Sequence, residues 1–123
     1  MDADEYYKDL ILSFPTLKKK IEEEDSTMIH MRMEVFADYT IDQIKRKDWN
    51  ELKRCFDFQE SRIEKLNSEL VNALTVSYCE ALLLGEMAGQ MKEITPKMET
   101  KLEKLYKEYE DYYTDLVKRS LDS

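Results

Sequence analysis

Glycine and proline are nearly missing from this sequence: two of each occur in 123 residues. With few breakers and abundant Lys, Glu and Leu, the composition favours helix almost throughout. Histidine is scarcer still. His30 is followed by Met31, Arg32, Met33 and Glu34, so the paired Glu-x-x-His of a di-iron bundle is absent, as is the spacing of a zincin. No glycine-rich phosphate loop and no Gly-x-Ser-x-Gly elbow occurs. Cys55 and Cys79 fit neither CxxC nor a zinc pattern. A Cys55–His30 dyad is conceivable but has no support from spacing. No apolar run approaches the ~20 residues that span a bilayer. The opening MDADEYYKDL lacks the basic and apolar regions of a signal peptide. The expected location is therefore the cytoplasm, where both cysteines would be reduced thiols.

Positive charge is also in deficit. Nineteen Lys and Arg face 27 Asp and Glu, for a net charge of −8. An acidic surface repels phosphate, which argues against nucleic acid and against an anionic membrane, and it attracts a basic protein. What is present is enough for a core. Hydrophobic residues make up 42%, with eight Tyr, four Phe and one Trp, and the length suits one domain over residues 1–123.

The pattern predicts five to six helices and no strands. The first covers about 4–13 and stops before Pro15. A second starts at Pro15 and carries the i,i+4 pairs of LKKKIEEE, read as a solvated face. A third, about 28–47, is capped by Asp25, Ser26 or Thr27 and repeats Ile29, Met33, Phe36, Ala37, Thr40, Ile41 and Ile44 along one face. Asp48 with Glu51 resembles a capping box and opens a stripe of Trp49, Leu52, Phe56, Gln59, Ile63 and Leu66. Asn67 or Ser68 caps the next helix, about 69–90. A last one, about 96–120, starts at Thr95 and Pro96 and carries Met98, Leu102, Leu105, Tyr109, Tyr112 and Leu116 at heptad spacing. Helix pairs starting near 27 and near 68 are spaced like HEAT-type repeats. A compact bundle and a short α-α superhelix both remain open.

The run VNALTVSYCEALLLGE, residues 71–86, keeps its only charges for its second half. On a helical wheel Leu70, Val71, Leu74, Tyr78, Ala81, Leu82 and Gly85 share one apolar face, and Glu69, Asn72, Val76, Glu80 and Leu83 form a mixed one. Such a helix is central. Glu80 either pairs with a Lys or Arg of a neighbour or lies in a groove that serves a ligand or partner. Asn72 lies on nearly the same side. Near the end of the chain, Tyr109 and Tyr112 fit the core seam, whereas Tyr106 and Tyr113 sit beside it as an exposed strip or as its cover. His30 reads as a surface residue.

FADYTIDQI, CFDFQE and VNALTVSYCEAL carry Phe36, Asp38, Tyr39, Phe56, Phe58, Glu60, Val71, Asn72, Val76, Ser77 and Glu80. These segments resemble a family of small, uncharacterised, all-helical bacterial proteins that are similar to the immunity-type components of toxin systems. The resemblance lends no catalytic residue and no cofactor. It gives weight to Asn72 and Glu80.

The functional expectation is a non-enzymatic protein-binding module, such as an immunity-type inhibitor of a basic toxin. Its attraction would come from Glu22, Glu23, Glu24 and Asp25 and its anchoring from Tyr106 and Tyr113. The alternatives are an adaptor that forms a homodimer through its last helix, and a ligand binder or enzyme with an inter-helix groove around Glu80. A deep pocket at Glu80 would favour the last. An apolar interface on 98–116 would favour the adaptor, and an open acidic surface the binding module.

Overall fold

The computed structural model describes residues 1–122; these are 84% helical, in seven helices and without strands. The helices are α1 (Ala3–Ser13), α2 (Lys18–Glu23), α3 (Ile29–Arg46), α4 (Trp49–Glu60), α5 (Ser68–Leu84), α6 (Met91–Ile94) and α7 (Thr100–Asp122). The count exceeds the expected five to six.

Caps explain most boundaries. The Asp2 carboxylate accepts from the Glu5 N–H and starts α1. Pro15 opens a separate 3₁₀ turn, Pro15–Leu17, ahead of α2. The expected cap of α3 is not used. Asp25 instead folds back onto the Thr27 N–H and hydroxyl, and Met28 precedes α3 without a side-chain bond. α3 ends where Lys47 turns left-handed, at φ 57°, and the Asp48 N–H reaches the Gln43 carbonyl. Asp48 then accepts from the Glu51 N–H, but the Glu51 carboxylate turns to Tyr39 and Arg54, so only half of the capping box forms. Asn67 starts α5 by accepting from the Leu70 N–H at 2.9 Å.

Two departures matter for the site. Residues Leu74–Cys79 inside α5 form a π-turn, in which the Glu80 N–H bonds to the Thr75 carbonyl five residues back. The wider turn shifts the inward face. Ser77 and Cys79 are buried, and Ala81, expected inside, is half-exposed. α5 also stops at Leu84 rather than near residue 90. A Cβ at Gly85 would sit 2.2 Å from the Ala81 carbonyl oxygen, and the chain bends by 83° into residues 88–97. α7 begins at Thr100, because Thr95–Lys97 closes as its own 3₁₀ turn and Met98 is extended. Glu60 at the end of α4 takes the Lys101 and Leu102 N–H groups at 3.1 and 2.9 Å, capping α7 from another helix.

The core is aromatic. The Phe36 ring packs on Phe14, Phe58 and Tyr78 with centroids 5.3, 5.6 and 5.3 Å apart. Burying each such ring contributes roughly 1.5–3 kcal/mol. Buried polar atoms are paired across helices: Tyr6 donates to Gln59 at 2.7 Å, and the Thr40 and Tyr78 hydroxyls lie 2.8 Å apart. α5 runs against α3 and the first half of α7, and α4 packs on both α3 and α7. Trp49, expected on the core stripe, is exposed, with the Lys97 ammonium 4.6 Å from its ring centroid.

Candidate functional site

Glu34 and Asp38 project from α3 one turn apart. Across from them lie Val76, Ser77, Glu80 and Ala81 of α5, and together they wall an open groove of about 370 Å³. Its lining mixes apolar Val76, Ala81 and Leu84 with the buried Ser77 and three carboxylates. Ser77, seven residues after buried Leu70, faces inward and lies 2.9 Å from Nδ1 of His30. His30 is half-buried in this tie between α3 and α5 and is not the surface residue expected.

Glu80 is half-buried at the edge of the groove. It meets neither Lys nor Arg in any described ion pair. Instead, the Tyr109 phenol of α7 lies near its carboxylate. Burial, then this carboxylate, raise the Tyr109 phenol above its ordinary range. Asn72, two turns earlier, is exposed and stands outside the groove.

The other expected positions are dispersed. Glu22, Glu23 and Asp25 are exposed around the end of α2, and Thr27 lowers the Asp25 carboxyl by bonding it from backbone and side chain. Glu24 is half-buried, and its carbonyl accepts from Arg32 at 2.8 and 3.1 Å. Tyr106 is 1% exposed, and its hydroxyl has no hydrogen-bond partner among the described residues. Burial pushes its phenol up to about 12. Tyr113 is half-buried, while Tyr112, expected in the seam, is 61% exposed. The tyrosine assignment is thus reversed at both 106 and 112. Of the heptad seam, Met98 and Leu102 are buried as expected, but one turn further on the body seals Tyr106, on the flank, more fully than Leu105.

Cys55 and Cys79 are both buried, free thiols, and burial pushes each up to about 12. Among the described residues no group of three or more His, Cys, Asp or Glu is placed to hold a metal ion. No single helix there is long and apolar enough to cross a membrane.

His30 and Tyr109 were not expected beside the groove. His30 was discoverable, since it stands four and eight residues before Glu34 and Asp38 on one helix face. Ser77 was within reach of the wheel as well, seven residues after Leu70 and three after Leu74.

Fold and site define an all-α domain with an open acidic groove. A family model described as "Domain of unknown function (DUF7674)" matches residues 7–114, and the chain belongs to that family. Neither the curated proteins nor the solved structures provide a match to the chain.

Proposed function

We propose that this protein is a non-enzymatic protein-binding module that receives a basic segment of its partner in the groove between α3 and α5. The observation that carries this reading is the groove itself: an open trough with Glu34, Asp38 and Glu80 on its rim and Val76 and Ala81 within it. Such a surface suits a helix or loop with basic and apolar residues alternating. The net charge of −8 adds long-range attraction, and Glu22, Glu23 and Asp25 contribute to it. In its most concrete form the module is an immunity-type inhibitor of a basic toxin, acting in the cytoplasm. The architecture we put forward is one compact bundle built around α5, because α5 touches α3 and α7, which are far apart in sequence.

The test is affinity capture from the native host, followed by binding kinetics on the recovered protein. Glu34→Lys with Asp38→Lys should slow association about tenfold or more and flatten its salt dependence. A partner bound equally well by that double variant would remove the groove from the reading. Recovery of no basic protein would remove the reading itself.

A further inference from the structure

Leu70, Ala73 and Leu74 are buried on α5 as it enters its wide turn, and Tyr78, Cys79 and Leu82 as it leaves. Counted at ~100° per residue, the centres of these two sets stand about 130° apart, so a regular helix would turn the second set away from the first. Both ends of α5 nonetheless pack on α3. With one residue taken out of the count between Leu74 and Tyr78, the centres come within about 30° of each other. The buried positions from Leu70 then read i, i+3, i+4, i+7, i+8 and i+11, the stripe of a regular core helix. α5 therefore holds one residue more than its packing on α3 requires, and the π-turn is where the excess sits.

The backbone says the same. In the π-turn the Glu80 N–H bonds to the Thr75 carbonyl five residues back. With one residue between them removed, Thr75 would stand four residues before Glu80, and the same bond would close an ordinary α-helical turn. Two consecutive side chains share the inward position at this point. Ser77 holds it on the regular count, and Tyr78 takes it after the shift. Tyr78 serves the core: it is fully buried, its ring centroid is 5.3 Å from that of Phe36, and its hydroxyl is 2.8 Å from that of Thr40. Ser77 meets the half-buried imidazole of His30 at 2.9 Å and lines the groove with Glu34 and Asp38.

We infer that Ser77 is surplus to the fold and is kept for the groove, where its hydroxyl positions His30 in the wall that a bound basic segment meets. The groove half of this inference rests on the proposed reading of that surface. A π-turn interrupts the regular ladder of α-helical bonds, and such turns occur mostly at functional sites. Here the interruption falls on the one stretch of α5 that faces both the core and the groove. Without Ser77, Leu70, Ala73, Leu74, Tyr78, Cys79 and Leu82 all keep their inward face, and what disappears is the hydroxyl beside His30.

The experiment is urea unfolding of the full chain with Ser77 deleted, followed by circular dichroism and amide NMR. The midpoint should equal or exceed that of the wild-type chain, with helix content unchanged. The coupling across the hydrogen bond from the Glu80 N–H to the Thr75 carbonyl should persist. Deletion of Asp38, an exposed residue of the regular α3, should instead lower the midpoint by about 1 M or more. If loss of Ser77 lowers it as far, Ser77 belongs to the fold and the inference is overturned. The basic protein captured at the groove should bind both the deleted chain and Ser77→Ala about tenfold more weakly. A partner that holds Ser77→Ala as tightly as the wild-type chain would overturn the role of the hydroxyl. If capture yields no basic protein, the groove half falls with the reading it rests on, and the unfolding result stands on its own.

Discussion

The two halves of α7 have the same kind of sequence and opposite fates. Before Tyr109, apolar residues at helical spacing are sealed against α4 and α5. After it, residues of equal hydrophobicity face outwards. The difference lies in the reach of α5, which ends at Gly85, and of the bent segment after it. Amphipathic periodicity says which face of a helix seeks cover and is silent on what supplies it. Tyr109 marks the divide, half-buried near Glu80.

The contrast is sharpest at two leucines. Leu102→Ala empties a fully buried site and should cost ~2–5 kcal/mol in urea unfolding. A cost well under ~1 kcal/mol would mean that even the first half of α7 is loosely held. The cap supplied by Glu60 comes next. Glu60→Ala frees two N–H groups at the start of α7 and should cost about 1–2 kcal/mol, seen as faster amide exchange at Lys101 and Leu102. Unchanged exchange there would show that α7 is seated without its cap.

Tyr106→Phe should do the reverse. Removing a buried hydroxyl with no partner should leave stability unchanged or raise it by up to ~1 kcal/mol. The same variant tests pH dependence. Tyr106 ionises near its ordinary pKa of 10 when unfolded and only at about 12 when folded. Its contribution is complete below pH 10 and is lost as pH rises from there towards 12, so Tyr106→Phe should flatten the alkaline decline. The smallest effect belongs to the overhang. Leu116→Ala at submicromolar concentration should shift stability by less than ~0.5 kcal/mol, which calorimetry or urea titration can verify. A larger loss would mean that this half of α7 is packed within its own chain.

Much of the core was readable from the sequence. Ile29, Met33, Phe36, Ala37, Thr40, Ile41 and Ile44 are buried as their spacing required, and so are Leu52, Phe56, Gln59, Leu70, Leu74, Tyr78 and Leu82. The candidate site was readable only in fragments. Glu80 was singled out, but Tyr109 was not foreseen beside it, and Cys79, opposite the apolar face on a regular wheel, is buried because a π-turn breaks the 3.6-residue rule. Tyr106 and Tyr112 were assigned the wrong way round because adjacent seams of one helix differ by less than the breadth of an apolar stripe.

The sequence by itself determined the all-α class, the caps at Asp48 and Asn67, the presence of a single histidine and the excess of negative charge. These follow from local propensity, from spacing and from counting charges. Only the tertiary structure decided that Glu60 caps a helix 40 residues away, that His30 meets Ser77, and that α7 outruns the body. Those facts depend on where helices cross and end in space. Crossing is set by packing between elements distant in sequence, which no single helix pattern encodes.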